Sequence, residues 1–249
     1  MISYVAKKII LLTLFIFTSS FQARGENKEK TQEQLCNFNF AQNSSIGILS
    51  KAKFATDRLF LIPQTKEDHP ALAELLLDYE VTKYLDVRDT KYGTREEVLE
   101  VLQKWGNLNN WVIRLKDNTC IGNVGFDIFP YSQFYSAYNN TNLSGYKAAD
   151  IGYFLGKKFW KQGFAREACT FLALKLFQCF DIKLLSVNIH EENINSINLA
   201  KVILDFVENN CGMKVKRRES KFFIEDGGEQ YPIVCLWIEK VGDPQGKIS

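Results

Sequence analysis

The chain has 249 residues, 46% of them hydrophobic and 24% charged, with 13% aromatic residues that include 19 Phe. Wholesale disorder is excluded, and the length suits one ordinary domain with tails or two small domains. Lys+Arg 31 against Asp+Glu 29 leaves a net charge of +2, too weak a field to point to nucleic acid, and no repeated unit suggests a solenoid.

Residues 1–25 begin with Lys7 and Lys8, continue through the apolar run Ile9 to Phe17, and end in small polar residues. The run is about half of the ~20 residues a membrane-crossing helix needs, and Ala23 and Gly25 suit a signal-peptidase site. A secretory signal peptide is the preferred reading, with an uncleaved anchor as the alternative. Residues 26–53 are a polar linker of uncertain structure, 54–240 the folded domain, and 241–249 a tail.

Thr56 to Ile62 alternates polar and apolar residues and stops at Pro63, as a first strand does. Thr65 and Asp68 can cap a helix that runs through Leu72, Leu75 and Leu76 to Tyr79. Thr94 and Glu97 have capping-box spacing at the start of a second helix, whose apolar face is Val98, Val101, Leu102 and Trp105 and which Gly106 ends. Strands over Trp111–Leu115 and Cys120–Phe129 flank a polar turn. Residues 130–148 have no period and read as a long loop, either functional or a solvated insertion. Strand Asp150–Leu155, helix Ala165–Phe180, strand Leu184–Ile189, helix Asn195–Val207 and strands Lys214–Ile224 and Ile233–Ile238 complete the order. The strand–helix–strand units imply some parallel pairing, and the run of three strands must be antiparallel. The class is α/β with a mixed sheet.

Cys36, Cys120, Cys169, Cys179, Cys211 and Cys235 form no CxxC pair, and His69 and His190 lie far apart. No metal site is expected. The cysteines read as small buried hydrophobes, although their even number permits bridges.

The chemistry concentrates in Ile151 to Ala168, IGYFLGKKFWKQGFAREA. A strand leads through a short turn to Gln162-Gly163-Phe164-Ala165, which opens a helix. A helix start exposes unpaired amides with partial positive charge, and Gly163 lets a ligand approach the backbone. That suits a phosphate or pyrophosphate, although a plain strand-to-helix turn looks similar.

The Ile-Gly-Tyr strand, the aromatic pair and Gly-aromatic-Ala-x-Glu-Ala together resemble the acetyl-CoA motif of the GNAT superfamily of N-acetyltransferases, especially its ribosomal-protein-alanine acetyltransferase branch. Thr56-Asp57-Arg58-Leu59-Phe60-Leu61 is similar to that branch's opening strand, Ile121-Gly122 to its Ile-Gly strand, and Asn193 with Ser196 to its Asn-x-x-Ser helix start. The resemblance covers about Thr56 to Glu239. It implies a mixed sheet with helices on both faces and a V-shaped gap between two central parallel strands. Acetyl-CoA would lie there as cosubstrate, with Phe154, Leu155 and Gly156 along the pantetheine arm. Lys161, Gln162, Gly163, Phe164, Ala165 and Arg166 would surround the pyrophosphate, and Asn193 and Ser196 would lie on the far side.

The sequence departs from the family pattern in places. Lys161 stands where the family often has Gly, and an exposed side chain is the preferred reading there. Ala200 stands where many members carry a tyrosine acid. The family's Gly-Phe corresponds either to Leu204-Asp205-Phe206 by spacing or to Cys211-Gly212-Met213 by residue type.

Asp150 is the first candidate for a general base, with an edge carboxylate in solvent as the alternative, and His190 is the second. Glu191 and Glu192 read as capping charges, and Arg166 with Glu167 as a solvated pair. The leading function is acetyl transfer to a primary amine on a protein, peptide or small molecule, by a monomer or homodimer. The alternative is an inert, exported binding module of the same fold. An export leader would separate the domain from cytosolic acetyl-CoA, so localisation stays open, and membrane contact is expected only through an uncleaved N-terminal segment.

Overall fold

The computed structural model describes residues 51–85, 93–105, 109–130, 147–179, 182–226 and 229–241. The leader, most of the linker, Cys36, Gly106, most of the 130–148 loop and the C-terminal tail lie outside the described residues. The elements are β1 (Phe54–Ala55), β2 (Leu59–Pro63), α1 (His69–Leu76), α2 (Tyr79–Thr82), α3 (Arg95–Trp105), β3 (Asn110–Leu115), β4 (Cys120–Pro130), β5 (Lys147–Leu155), α4 (Phe164–Cys179), β6 (Ile182–His190), α5 (Ile194–Asn210), β7 (Val215–Asp226) and β8 (Glu229–Lys240). Eight strands form one sheet in the order β1-β2-β3-β4-β5-β6-β8-β7. Every neighbouring pair is antiparallel except β5 and β6, which are joined through α4 and run parallel.

Strand alternation sends side chains to two cores. On one face Trp111, Ile113, Val124, Ile151 and Leu155 pack with Leu172, Leu176 and Phe177 of α4 and Ala200, Ile203 and Leu204 of α5. On the other, Val112 and Phe154 meet Leu72 and Leu76 of α1 and Val98 and Leu102 of α3. Farther along that second face, strand residues Ala148, Leu184, Cys235 and Trp237 cluster with Phe129 and Phe222. The expected mixed sheet with helices on both faces is observed.

Several boundaries differ from expectation for local reasons. The expected first strand starts only at Leu59 and takes in Pro63, because Thr56 turns the chain, its amide donating to Leu59 O at 3.0 Å, and Phe54–Ala55 forms a separate short strand before that turn. The first helix stops at Leu76: Asp78 takes an extended ψ of 112° and its carboxylate caps α2 through the Glu80 amide. β5 begins at Lys147, so Ala148 belongs to the strand rather than to the loop before it. β6, α5 and β8 extend past their expected limits at both ends, as α5 does to Asn210 and β8 to Lys240, whereas β7 starts one residue late at Val215 and α4 spans Phe164–Cys179.

The Thr94 capping box is present, with the Glu97 amide donating to Thr94 Oγ1 at 3.2 Å and the Thr94 amide to Glu97 Oε2 at 3.0 Å. Cys120, Cys169, Cys211 and Cys235 are free thiols, the last three buried as hydrophobes. No helix among the described residues is long and apolar enough to cross a membrane.

Candidate functional site

The parallel ladder between β5 and β6 is short. It pairs Lys147 with Ile182, Ala148 with Leu184, Ala149 with Leu185 and Asp150 with Ser186, and no further. Both strands continue, β5 against β4 to Leu155–Gly122 and β6 against β8 to His190–Ile233. Ile151–Leu155 and Val187–His190 therefore diverge as the arms of a fork.

The Gly156 amide donates to Ile121 O of β4 at 3.0 Å. Because neighbouring residues of a strand turn their polar groups to opposite edges, Phe154 also faces β4 and the N–H and C=O of Leu155 face the gap. Of the three residues expected along that edge, Leu155 alone turns its backbone to it. The Leu155 carbonyl accepts the Trp160 indole N–H at 2.7 Å.

Below the β5 arm, the chain passes a 3-10 turn at Lys157–Phe159 and enters α4 through two left-handed residues, Lys161 at φ 59° and Gly163 at φ 81°. Lys161 is exposed as expected, and so are Gln162, Gly163 and Arg166; Phe164 and Ala165 are half-buried against the core. Glu167 is the first amide taken up along the helix, at 3.0 Å from Gly163 O. The amides before it point out of the helix end.

Glu167 and Arg166 are not a solvated pair. The Glu167 carboxylate accepts from the Thr56 hydroxyl at 2.5 Å, from the Arg58 amide at 2.8 Å and from Arg58 Nε at 2.7 Å. Burial alone would raise its pKa, but the Thr56 hydroxyl and the Arg58 amide and guanidinium outweigh burial and hold it below the ordinary value. Arg58 Nη1 also donates to Gln162 O at 2.9 Å, and its guanidinium lies 4.6 Å over the Phe164 ring.

The β6 arm ends differently. Asn193 caps α5, its Oδ1 accepting the Ser196 amide at 3.2 Å. Ser196 Oγ lies 3.1 Å from the Tyr153 hydroxyl, which also donates to the Ser196 carbonyl at 3.3 Å. A β5 side chain thus reaches across the fork to α5. Burial, with nearby Cys169 adding to it and Ser196 opposing, pushes the Tyr153 phenol well above its ordinary pKa, so it stays a neutral donor. Sequence reasoning missed this tyrosine, although its place in the Ile-Gly-Tyr strand, odd-numbered with buried Ile151 and Leu155, sets its direction. Ala200 is fully buried in the core.

At the vertex of the fork, Asp150 Oδ1 accepts from Ser186 Oγ at 2.7 Å and from Asn188 Nδ2 at 3.0 Å. The alternative of an edge carboxylate fails, because β5 is flanked by β4 and β6. Asp127 stands opposite Asp150 on β4, and buried Cys235 opposite Asn188 on β8. Burial, and then the Asp150 charge, push the Cys235 thiol well above its usual pKa, which removes it as a nucleophile. His190 lies four residues beyond Ser186 on β6, roughly 13 Å at 3.3 Å per residue, so it does not join Asp150. It stacks on Tyr84 with ring centroids 5.3 Å apart, and its Nδ1 accepts the Glu192 amide at 3.3 Å. Among the described residues no group of His, Cys, Asp or Glu is placed to hold a metal.

The family model described as the acetyltransferase (GNAT) domain matches residues 58–203. An uncharacterized N-acetyltransferase, p20, of Bacillus licheniformis is 28% identical over 149 residues, which span 58% of this chain and 76% of that protein. A GNAT-family acetyltransferase structure from Bacillus anthracis aligns with a TM-score of 0.57 at 20% identity, covering 75% of this chain and 98% of its own. A ribosomal L7/L12 alpha-N-protein acetyltransferase in complex with coenzyme A aligns with a TM-score of 0.51 at 18% identity, covering 76% and 97%.

Proposed function

We propose a function from one premise: the chain belongs to the acetyltransferase (GNAT) family, whose model spans more than half its length. It acts as an N-acetyltransferase with acetyl-CoA as cosubstrate, and the acceptor is a primary amine on a protein or peptide N-terminus or on a small molecule. The observation that carries this reading is the parting of β5 from β6 after Asp150 and Ser186, beside an open helix start. The inert binding module is not favoured.

The residues present fit the group. The Leu155 backbone edge suits the amides of a pantetheine arm, which would lie along β5 as an added strand. The outward amides of Phe164, Ala165 and Arg166 suit a pyrophosphate, and Gly163 leaves its approach free of a side chain. Asn193 gives its side-chain oxygen to α5, so its NH₂ is the group left for the arm. Bound there, acetyl-CoA supplies an activated acetyl thioester, and positioning of the amine against it needs no covalent enzyme intermediate.

Asp150 takes the proton from the acceptor ammonium, through a water. The hydrogen bonds from Ser186 and Asn188 orient the carboxylate. A carboxylate is a weak base for an ammonium near pKa ~10, so the positioning of the amine carries much of the rate. His190 and Tyr84 line the same face farther out, on the acceptor's path. Calorimetric titration of the full-length protein with acetyl-CoA tests the reading: saturable binding is expected, and no binding overturns it. Thiol release on adding a panel of amines then assigns the acceptor.

A further inference from the structure

We propose that Arg58 is a positioning residue for the pyrophosphate of acetyl-CoA, holding the turn before α4 in its binding shape. The inference rests on the proposed function. No motif places Arg58 at the site: it lies before β2, more than a hundred residues from Gly163 along the chain. Yet its single guanidinium touches that turn at several points. Nη1 holds Gln162 O at 2.9 Å, between the two left-handed residues. The plane lies 4.6 Å over Phe164, Nη2 is 3.3 Å from where a Gly163 Cβ would stand, and Nε grips Glu167 at 2.7 Å.

Two physical needs meet there. Lys161 is strained at positive φ and Gly163 is free to adopt other shapes, so the turn persists only if its surroundings hold it. A turn fixed in advance also loses less entropy when a ligand binds. The second need is electrostatic. Glu167 in the first turn complements the helix dipole but would repel a pyrophosphate at the same amides. The Arg58 guanidinium on one carboxylate oxygen cancels that charge, and the Thr56 hydroxyl and the Arg58 amide donate to the other oxygen. Arginine alone meets both needs, because its planar fork reaches a carboxylate and a carbonyl together, which a lysine point charge does not.

The test is calorimetry of full-length wild type, Arg58→Ala and Arg58→Lys with CoA and with pantetheine, which lacks the pyrophosphate. Arg58→Lys keeps the charge and most of the stem over Phe164, so it carries the test if Arg58→Ala does not fold. Both variants should bind CoA about tenfold more weakly, the effect of losing one charge-assisted hydrogen bond, and pantetheine unchanged. Unchanged CoA affinity, an equal loss for both ligands, or full recovery by lysine overturns the inference alone. If wild type binds no CoA, the functional reading falls with it.

Discussion

The two helices that follow the arms of the fork are both preceded by a turn from a central strand, and their first residues differ in kind. α5 carries its own cap: Asn193 accepts the Ser196 amide, and Ser196 is in turn held by Tyr153. α4 has Gly163 at the corresponding place, which has no side chain to close the helix end. Its support comes from outside and behind, through Thr56 and Arg58 on Glu167. A helix start stabilised by its own side chain has used one of the amides a ligand would need. One braced from the flank keeps them. The contrast supports the proposal that α4 is the anion-receiving end and α5 a structural one.

The largest effect expected lies at neither helix, and it sharpens the contrast by leaving both untouched. Asp150→Asn at the fork vertex should lower kcat by about 10²–10⁴-fold, the usual worth of general-base assistance, with acetyl-CoA affinity unchanged and the deficit shrinking at high pH where free amine is present. Nearly full activity at neutral pH would reduce Asp150 to a strand-linking group. Next, Gly163→Val introduces a branched side chain at positive φ where the Cβ already meets Arg58. CoA affinity should fall by about a hundredfold, roughly 2.7 kcal/mol, and unchanged affinity would break the assignment of the turn.

Asn193→Ala tests the other helix. Thermal unfolding should show a loss of about 1 kcal/mol, typical of a removed N-cap, while CoA affinity moves far less than in the Gly163 variant. An affinity loss as large as that of Gly163→Val would erase the distinction between the two helix starts. The smallest effect is at Lys161→Gly. Relief of left-handed strain, offset by the added freedom of glycine, should raise stability by a few tenths to about 1 kcal/mol.

The Glu167 clasp adds a pH dependence on the α4 side. Its folded pKa is depressed, so its stabilisation is present above the unfolded value near ~4.3 and is lost as pH falls through the folded one. Acid unfolding followed in wild type and in Thr56→Val should show the variant losing less stability over that window.

The sequence made the order of strands and helices legible because their signals are local: the apolar runs of β3 and β4 on either side of a polar turn and the apolar spacing in α4 need no distant partner. Boundaries were less legible where one side chain outweighs the pattern, as Asp78 does in ending α1 and capping α2. Ala148 read as loop because the residues before it, Tyr146 and Lys147, continue a polar and aromatic stretch without period, whereas its place is set by Leu184 and Phe129 across the sheet. At the site, Gly163 and Asn193 were visible as helix-start residues. Glu167 was misread because its partners Thr56 and Arg58 come from the opposite end of the domain. The direction of Leu155 also depends on the β4 register, which no local run of residues encodes.

The short parallel ladder has a consequence for how the domain is assembled. Among the described residues, β1 to β5 form one antiparallel unit and β6, β8 and β7 another, and the four pairs from Lys147–Ile182 to Asp150–Ser186 are the seam between them. Packing of α4 on α5 across the buried core spans the same seam. A chain severed between Cys179 and Ile182 would therefore keep every antiparallel pairing within one fragment or the other. The two pieces need only redock along that seam, which makes the domain a candidate for a split reporter whose reassembly a ligand in the fork would favour.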